Sequence, residues 1–322
     1  MTSPPTLADA ALPPGSQQPF LDIVDFVERT TYAIWNDRSP ELVASYYGPR
    51  SVIRSDSGDL VGGDAVTAAT YERMRTFPDY LGMIHDTIWT GDDASGYRTS
   101  MRWTARGTLG GGQAAGATGA VVHNSAIANC VVLHGQYVEE WAGENPLHLD
   151  DQLGMLSDAL LPGVDPQAPV HSDSPTAADH GATVPAVPDR LEGPGLLVVE
   201  LLHDLYDRRD LAVVERRYAA GAPYTFGASR WRAGHEGVRA EVGRWLGLLP
   251  DSRATVDELY WVDEAPGRAR VAVRFRVSGT AAGNRPVEIM CIHHLHVRGG
   301  LVVAEWSEYD ELALRRQGRG ND

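Results

Sequence analysis

Three residues near the end of this chain have the types and spacing for proton chemistry: His294, His296 and Asp310. The run Arg285–Val297 reads as a strand, and residues two apart on a strand share a face, so His294 and His296 point the same way while His293 points the other. Two imidazoles on one face of an apolar strand are costly unless they are partnered. Asp310 lies four residues past Trp306, where the terminal strand is expected to run out over a cavity. Two histidines with one carboxylate could imitate a facial-triad metal site. His293 faces away, however, and the set is read without a metal. The bland alternative makes the histidines packing residues and Asp310 the cap of the last helix; His293 is expected to be structural.

This constellation sits in the second of two copies of one pattern. Arg98-Thr-Ser-Met-Arg-Trp-Thr-Ala-Arg-Gly-Thr108 answers Arg270-Val-Ala-Val-Arg-Phe-Arg-Val-Ser-Gly-Thr280. Phe77-Pro78-Asp79 answers Leu249-Pro250-Asp251, and Val138-Glu139-Glu140-Trp141 answers Val303-Ala304-Glu305-Trp306. Aligned on the tryptophans, the positions of His294 and His296 become Asn129 and Val131. The acid of the first copy is then Asp150 or Asp151, displaced by an insertion at Ala142–Leu149. Asn129 keeps a donor, and His123 lies six residues earlier on the same strand face. Read blandly, the two aspartates cap a helix and His123 is a surface residue. The unshared residues therefore favour the second copy as the site.

The elements that must position these residues follow one order in both copies: helices, then strands. Apolar residues at helical spacing predict helices over Phe20–Trp35, Pro40–Tyr47 and Ala65–Phe77, matched by Leu196–Tyr206, Leu211–Tyr218 and Glu236–Leu248. Strands are expected at Gly82–Thr90, Ser95–Gly107, Gly119–Leu133 and Gln136–Trp141, matched by Arg253–Val262, Arg268–Ser278, Arg285–Val297 and Leu301–Glu308. Helices followed by an antiparallel meander define an α+β class. A curved sheet wrapped on a helix leaves a cone-shaped cavity, where a site would sit. Trp35 and Trp103 in the first copy, with Tyr206 and Trp231 in the second, fit the wall of such a cavity; core packing explains such rings equally well. Arg274 and Arg276 alternate against Val273 and Phe275 and are expected on a solvated outer face.

Domain boundaries follow from composition. Residues 1–18 are rich in proline and small residues and are expected to be disordered. The first domain spans 19–160 and the second 190–317. Residues 161–189 carry six prolines and no aromatic residue, and read as an extended linker.

Composition excludes several functions. All 28 basic residues are arginine. Without lysine there is no Schiff-base chemistry, no pyridoxal phosphate anchor and no phosphate-loop lysine. A net charge of −15 argues against nucleic acid and anionic membranes as partners. Residues 1–160 hold 9 arginines against 20 acids, whereas residues 190–322 hold 19 of each, so an anionic ligand would be better received by the second copy. No apolar run approaches the ~18 residues of a membrane span, and no secretory signal is evident. Cys130 and Cys291 are read as buried free thiols, which suits a cytoplasmic location.

Arg102-Trp-Thr-Ala-Arg-Gly-Thr108, Phe-Pro-Asp, Glu-Glu-Trp and Asp151-Gln-Leu-Gly-Met-Leu156 together resemble the SnoaL-like polyketide cyclases, also called predicted ester cyclases, of the NTF2-like superfamily. Gly234-His-Glu-Gly-Val238, Leu-Pro-Asp, Val273-Arg-Phe-Arg-Val-Ser-Gly-Thr280 and Glu305-Trp306 through Asp310-Glu-Leu-Ala-Leu314 resemble them in the second copy. The resemblance covers about 270 residues. It implies two tandem cone-shaped domains, each a curved, mostly antiparallel sheet wrapped around N-terminal helices. It also implies catalysis without metal or cofactor, by an acid acting as general base on a small or medium apolar carbonyl compound, in a cyclase, isomerase or lyase reaction. The family's paired polar positions lie fourteen and sixteen residues before its acid, which makes Asp310 the implied base and His294 with His296 the electrophilic stabilisers. Tyr206, Trp231, Asn129, His123, Asp151, Trp35 and Trp103, read from the residues themselves, are the expected substrate-binding residues. Both copies depart from the family where a histidine commonly follows Gly-Thr: here stand Leu109 and Ala281. The alternatives are a hydrolase or dehydratase on the same scaffold, and a non-catalytic binding protein. Because such domains pair through their sheets, the two copies are expected to form an intramolecular pseudo-dimer, open to further homo-oligomerisation.

Overall fold

The motifs that recur in both halves of the sequence meet in space. The computed structural model of the chain describes residues 6–56, 58–110, 119–153, 174–226 and 230–319. In it, the Thr108 N–H donates to Asp79 Oδ1 at 2.5 Å and its hydroxyl to Oδ2 at 2.7 Å. Thr280 makes the same two bonds to Asp251, at 2.6 and 2.7 Å. Each Pro-Asp turn is thereby tied to the end of the strand that carries Gly-Thr.

The chain divides into two compact units, one built on six strands of the first copy and one on six of the second. The first runs α1 (Ile23–Trp35), α2 (Val43–Tyr46), β1 (Tyr47–Ser55), β2 (Gly58–Val61), α3 (Gly63–Thr76), β3 (Leu81–Asp92), β4 (Gly96–Thr108), β5 (Val121–Leu133), β6 (Gln136–Glu144) and α4 (Pro146–Gln152). The second runs α5 (Gly193–Leu202), α6 (Val213–Arg217), β7 (Pro223–Phe226), β8 (Arg230–Ala233), α7 (Gly234–Leu248), β9 (Arg253–Ala265), β10 (Arg268–Ala281), β11 (Arg285–Arg298), β12 (Leu301–Tyr309) and α8 (Glu311–Arg319). Strand order is β2-β1-β6-β5-β4-β3 in one sheet and β8-β7-β12-β11-β10-β9 in the other, so the topology repeats strand for strand. The class is α+β, as expected.

Each sheet holds two strands beyond the sequence expectation. The β1–β2 and β7–β8 hairpins were hidden because β2 (Gly-Asp-Leu-Val) and β8 (Arg-Trp-Arg-Ala) are four-residue edge strands without a clear apolar face. β1 runs parallel to β6 and β7 parallel to β12, whereas β3–β4–β5 and β9–β10–β11–β12 pair antiparallel.

Helix α1 shows why these segments fold as they do. Asp22 caps it by accepting from the Asp25 N–H at 2.9 Å. Ile23, Phe26, Val27, Thr30, Ala33 and Ile34 fall on one face and are buried against Cys130, Val132 and Tyr137 of the sheet. Burying a side chain such as Phe26 contributes roughly 2 kcal/mol. Asn36 ends the helix and bonds both the carbonyl and the N–H of Gly82, at 2.9 and 3.0 Å. Gly82 has to lack a side chain, because a Cβ there would lie 2.2 Å from the Trp103 ring.

Three expectations are revised. Residues 6–18 were read as disordered, yet Leu7 is buried in the first unit's core, its N–H donates to Asp93 at 3.0 Å, and Tyr46 donates to the Ala11 carbonyl at 3.0 Å. The linker reading also fails beyond residue 173. Arg54 binds the Ser174 and Pro175 carbonyls at 3.1 and 2.7 Å, Ala177 N–H donates to Glu139 at 3.0 Å, and Val184 N–H to Ser95 at 3.0 Å. Proline-rich composition reported the missing secondary structure but not the docking onto a buried arginine. Finally, Arg274 does face away from the interior but is buried, with Glu258 at 3.3 Å and Asp257 at 3.7 Å.

Candidate functional site

Strand β11 sets the geometry of the second unit. Val287, Ile289, Cys291, Leu295 and Val297 occupy alternate positions and all enter the apolar interior, where the face meets α5 and α7. His293 is in phase with them. It is 3% exposed, packs edge-on to the Phe275 ring at 4.8 Å, and is held at both nitrogens. Nδ1 lies 2.7 Å from Glu305 Oε1, and Nε2 lies 2.7 Å from Ser307 Oγ. The Tyr218 hydroxyl donates to the other Glu305 oxygen at 2.5 Å. Tyr218, Glu305, His293 and Ser307 thus form one hydrogen-bonded chain inside an apolar shell. Ionised or neutral, such a chain is tolerated there only because each member satisfies the next. Burial, and then the Glu305 charge, push the Tyr218 phenol well above its ordinary range, so it stays protonated as a donor.

A second buried polar group stands nearer α8. Tyr309 donates to Glu241 at 2.8 Å, and Arg244 binds Glu241 at 2.8 Å and the Tyr309 hydroxyl.

The first unit repeats half of the first chain. The Tyr47 hydroxyl donates to Glu140 Oε2 at 2.6 Å, as Tyr218 does to Glu305. Tyr47 is likewise driven well above the tyrosine range by burial and then by Glu140. The equivalence rests on more than one contact. Gln152 grips the His123 backbone, accepting from N–H and donating to the carbonyl at 2.7 Å each; Gln317 grips Glu288 the same way at 2.9 and 3.0 Å. By this register Ala128 stands where the second unit has His293, and Ala142 where it has Ser307.

The expected residues are placed as follows. His294 and His296 do share a face, but it is the face opposite the interior. His294 is fully buried there, and His296 packs on Trp306 at 4.9 Å. Asp310 is buried and accepts from the Ala313 N–H at 2.8 Å, capping α8. Neither of these histidines enters the apolar interior; the interior histidine is His293, which sequence reading set aside. Asn129 is buried on the corresponding face of the first unit's own sheet, accepting from Ser100 at 2.6 Å. His123 is exposed. The matched glutamines leave no room for the insertion expected at Ala142–Leu149, and the counterpart of Asp310 becomes Asn145 rather than Asp150 or Asp151. The Asp151 side chain lies outside the described residues. Tyr206 is buried in the interior against Phe275 at 5.9 Å, whereas Trp231 is 62% exposed. Trp35 and Trp103 stand 6.3 Å apart in the first unit, each beside Tyr80.

Glu305 and Ser307 were missed, although the signal for His293 was present: odd positions from 287 to 297 are apolar apart from that one histidine. Among the described residues, no group of three or more His, Cys, Asp or Glu side chains is placed to hold a metal ion. Both cysteines are free and buried. No described helix is long and apolar enough to cross a membrane. A cleft of about 460 Å³ opens at the start of α5, lined by Leu196, Leu197, Arg217, Arg268 and Val297, away from the polar chain.

With this geometry in hand, residues 199–305 match the family model of the SnoaL-like domain. The second unit is a SnoaL-like domain, and the first repeats its topology. Similar solved structures include IdmH from Streptomyces antibioticus, proposed to be a polyketide cyclase, at 20% identity over 39% of this chain and 98% of that one, with a TM-score of 0.35. A SnoaL-like protein from Jannaschia sp. CCS1 is 16% identical over 41% and 99%, at 0.36. An NTF2-like protein of unknown function from Burkholderia pseudomallei is 19% identical over 39% and 97%, at 0.33. Each is thus about one unit long. No curated protein matches the chain.

Proposed function

We propose that this protein binds a small or medium apolar carbonyl compound within a sheet-and-helix interior and moves a proton on it without a cofactor, as a cyclase, isomerase or lyase. One observation carries the reading: the interior-facing Tyr–Glu hydrogen bond that recurs as Tyr47–Glu140 and Tyr218–Glu305. A strand carboxylate in an apolar wall suits abstraction of a proton from carbon, and a tyrosine that cannot ionise in the working range keeps that carboxylate oriented. The SnoaL-like match supports the same chemistry. In the second unit, His293 extends the hydrogen-bonded chain from Glu305 to Ser307.

The test uses 5-nitrobenzisoxazole, a carbon acid whose ring opens on proton abstraction with a change in absorbance. Relative to the unmodified chain, the double variant Glu140→Gln/Glu305→Gln is expected to lose roughly 100-fold or more in rate while keeping its circular dichroism. Retained turnover in that variant, with loss in Asp310→Asn, would return the role of base to Asp310 and sink this assignment. A water-activating hydrolase on the same acid would differ only in its products. A non-catalytic reading is favoured for the second unit alone, where Tyr218, Glu305, His293 and Ser307 are each no more than 4% exposed.

A further inference from the structure

We infer that the first unit is the open copy, which takes the ligand, and that the second is a copy filled by its own side chains. The inference rests on the reading above and reverses the preference that the sequence gives to the second copy.

The two interiors can be compared position by position. In the second unit Cys291, His293, Ser307, Glu305, Tyr218, Val273 and Tyr206 are all buried, between 0% and 4% exposed. Their counterparts in the first unit are Ala126, Ala128, Ala142, Glu140, Tyr47, Met101 and Trp35, and every one is partly exposed. The direction is the same at all seven positions. The side-chain volumes explain part of it: three positions that carry Cys, His and Ser in one unit are alanine in the other.

The cores differ in the same sense. The second unit has one continuous apolar cluster from Leu197 to Leu314. The first unit's core around α1 is split in two. One part centres on Phe26, Tyr46 and Tyr137, the other on Phe77, Tyr80 and Trp103. Partly buried Trp35 and Met101 pack against both. A close-packed interior has no such division. Ala128 packs against the first part and Ala126 against the second, and both are partly exposed, so the inferred slot would have these two alanines as its floor. The Trp35 and Trp103 rings stand at one end and the stacked Tyr47–Tyr137 pair, 5.0 Å between centroids, at the other. Aromatic faces over an alanine floor suit a flat, uncharged, ring-bearing compound. Glu140, oriented by the Tyr47 hydroxyl, places one carboxylate at the end of that slot.

The second unit needs no ligand to complete it. His293, bonded to Glu305 and Ser307, occupies the space that Ala128 leaves empty.

The natural reporter is Cys291, which stands at the position of Ala126. Ala126→Cys gives both units a thiol at one and the same place. In the native full chain, 5,5′-dithiobis(2-nitrobenzoate) is expected to modify the added thiol roughly 100-fold faster than Cys291, which reacts only through opening of its unit. Ala128→Cys, matched to His293, is a second reporter should the first variant fold poorly. Saturating 2-naphthol, a flat uncharged ring compound, is expected to slow modification of the added thiol several-fold and to leave Cys291 unaffected. Equal protection of the added thiol and Cys291 would overturn the inference, and so would modification that 2-naphthol does not slow. The two proposals fail separately. A protected thiol with proton transfer lost in the double glutamine variant sinks only the assignment of the open unit. An open, naphthol-binding first unit with turnover intact in that variant sinks only the assignment of the base.

Discussion

Tyr47 and Glu140 are 93 positions apart in sequence and 2.6 Å apart in space, and the pair recurs as Tyr218 and Glu305. Losing the phenol leaves a carboxylate oxygen without its donor. The cost should depend on how much water can replace it. Tyr218→Phe is expected to destabilise its unit by roughly 2 kcal/mol, since Glu305 is buried. Tyr47→Phe should cost less, because Glu140 is partly exposed. Urea unfolding followed by tryptophan fluorescence measures both; equal costs would contradict the difference in exposure.

His293→Ala removes the middle of a buried chain and strands Glu305 and Ser307 together. Breaking a buried, hydrogen-bonded pair from one side should cost roughly 3 kcal/mol. The companion change Ala128→His in the first unit should be far better tolerated if that interior has room. A comparable loss of stability there would argue that the slot is closed.

Gly82 and Gly195 each lie under an indole. A Cβ at Gly82 would approach Trp103 to 2.2 Å, and one at Gly195 would approach Trp261 to 2.4 Å. Neither glycine has a positive φ, so the obstacle is overpacking rather than backbone strain. Each Gly→Ala change is expected to cost about 1–3 kcal/mol. Gly82→Ala should also shift near-ultraviolet circular dichroism, because Trp103 must move within its aromatic cluster.

Stability should fall at both ends of the pH scale, for different groups. Hydrogen bonds from Thr108 and Thr280 hold the Asp79 and Asp251 carboxyls below the usual carboxylate range. A depressed folded pKa stabilises above the unfolded value, and the benefit is lost as pH drops through the folded one. Asp79→Asn and Asp251→Asn should therefore lower thermal stability at pH 7 and make little difference in strong acid. The phenols of Tyr47 and Tyr218 are raised instead. Their contribution is intact below the ordinary tyrosine range and disappears as pH climbs through the raised values. The tyrosinate absorbance of these two phenols, read as the part lost in Tyr47→Phe and Tyr218→Phe, should thus appear together with unfolding rather than before it.

Arg54 is 1% exposed and pairs with Glu139 at 2.9 Å and Asp59 at 3.0 Å while binding two carbonyls of the 174–175 segment. Arg54→Met should cost roughly 3 kcal/mol, because two carboxylates lose their cation. Cleavage by a nonspecific protease within residues 174–184 should accelerate ahead of global unfolding. Unchanged proteolysis would mean the segment is held by other contacts.

Much of this fold could be read from residue order because local rules govern it. The helical spacing of Ile23, Phe26 and Val27, and the alternation along β10 and β11, depend on neighbours a few positions away. The repeated Pro-Asp and Gly-Thr pairs were visible as a recurrence, though their meaning as one clamp required both ends to be seen together. The candidate site was harder to read. Which face of β11 is inside depends on where α5 and α7 lie, and the alternation fixed only that His293 opposes His294 and His296. The apolar company of Cys291 and Leu295 already pointed to His293. Nothing local linked Tyr218 to Glu305, or Gln152 to His123, so an insertion was inferred where the register runs unbroken.

The glutamine grips of Gln152 and Gln317 explain one further freedom. A carboxamide carries one carbonyl and one amide group, as a peptide unit does, so each glutamine stands in for the rung of a missing neighbouring strand. It recognises backbone alone and is indifferent to the side chain it passes. That is why the gripped residue can be histidine in one unit and glutamate in the other without disturbing either helix. His123 is exposed on the rim of the fold, and its imidazole takes no part in the grip that fixes the helix.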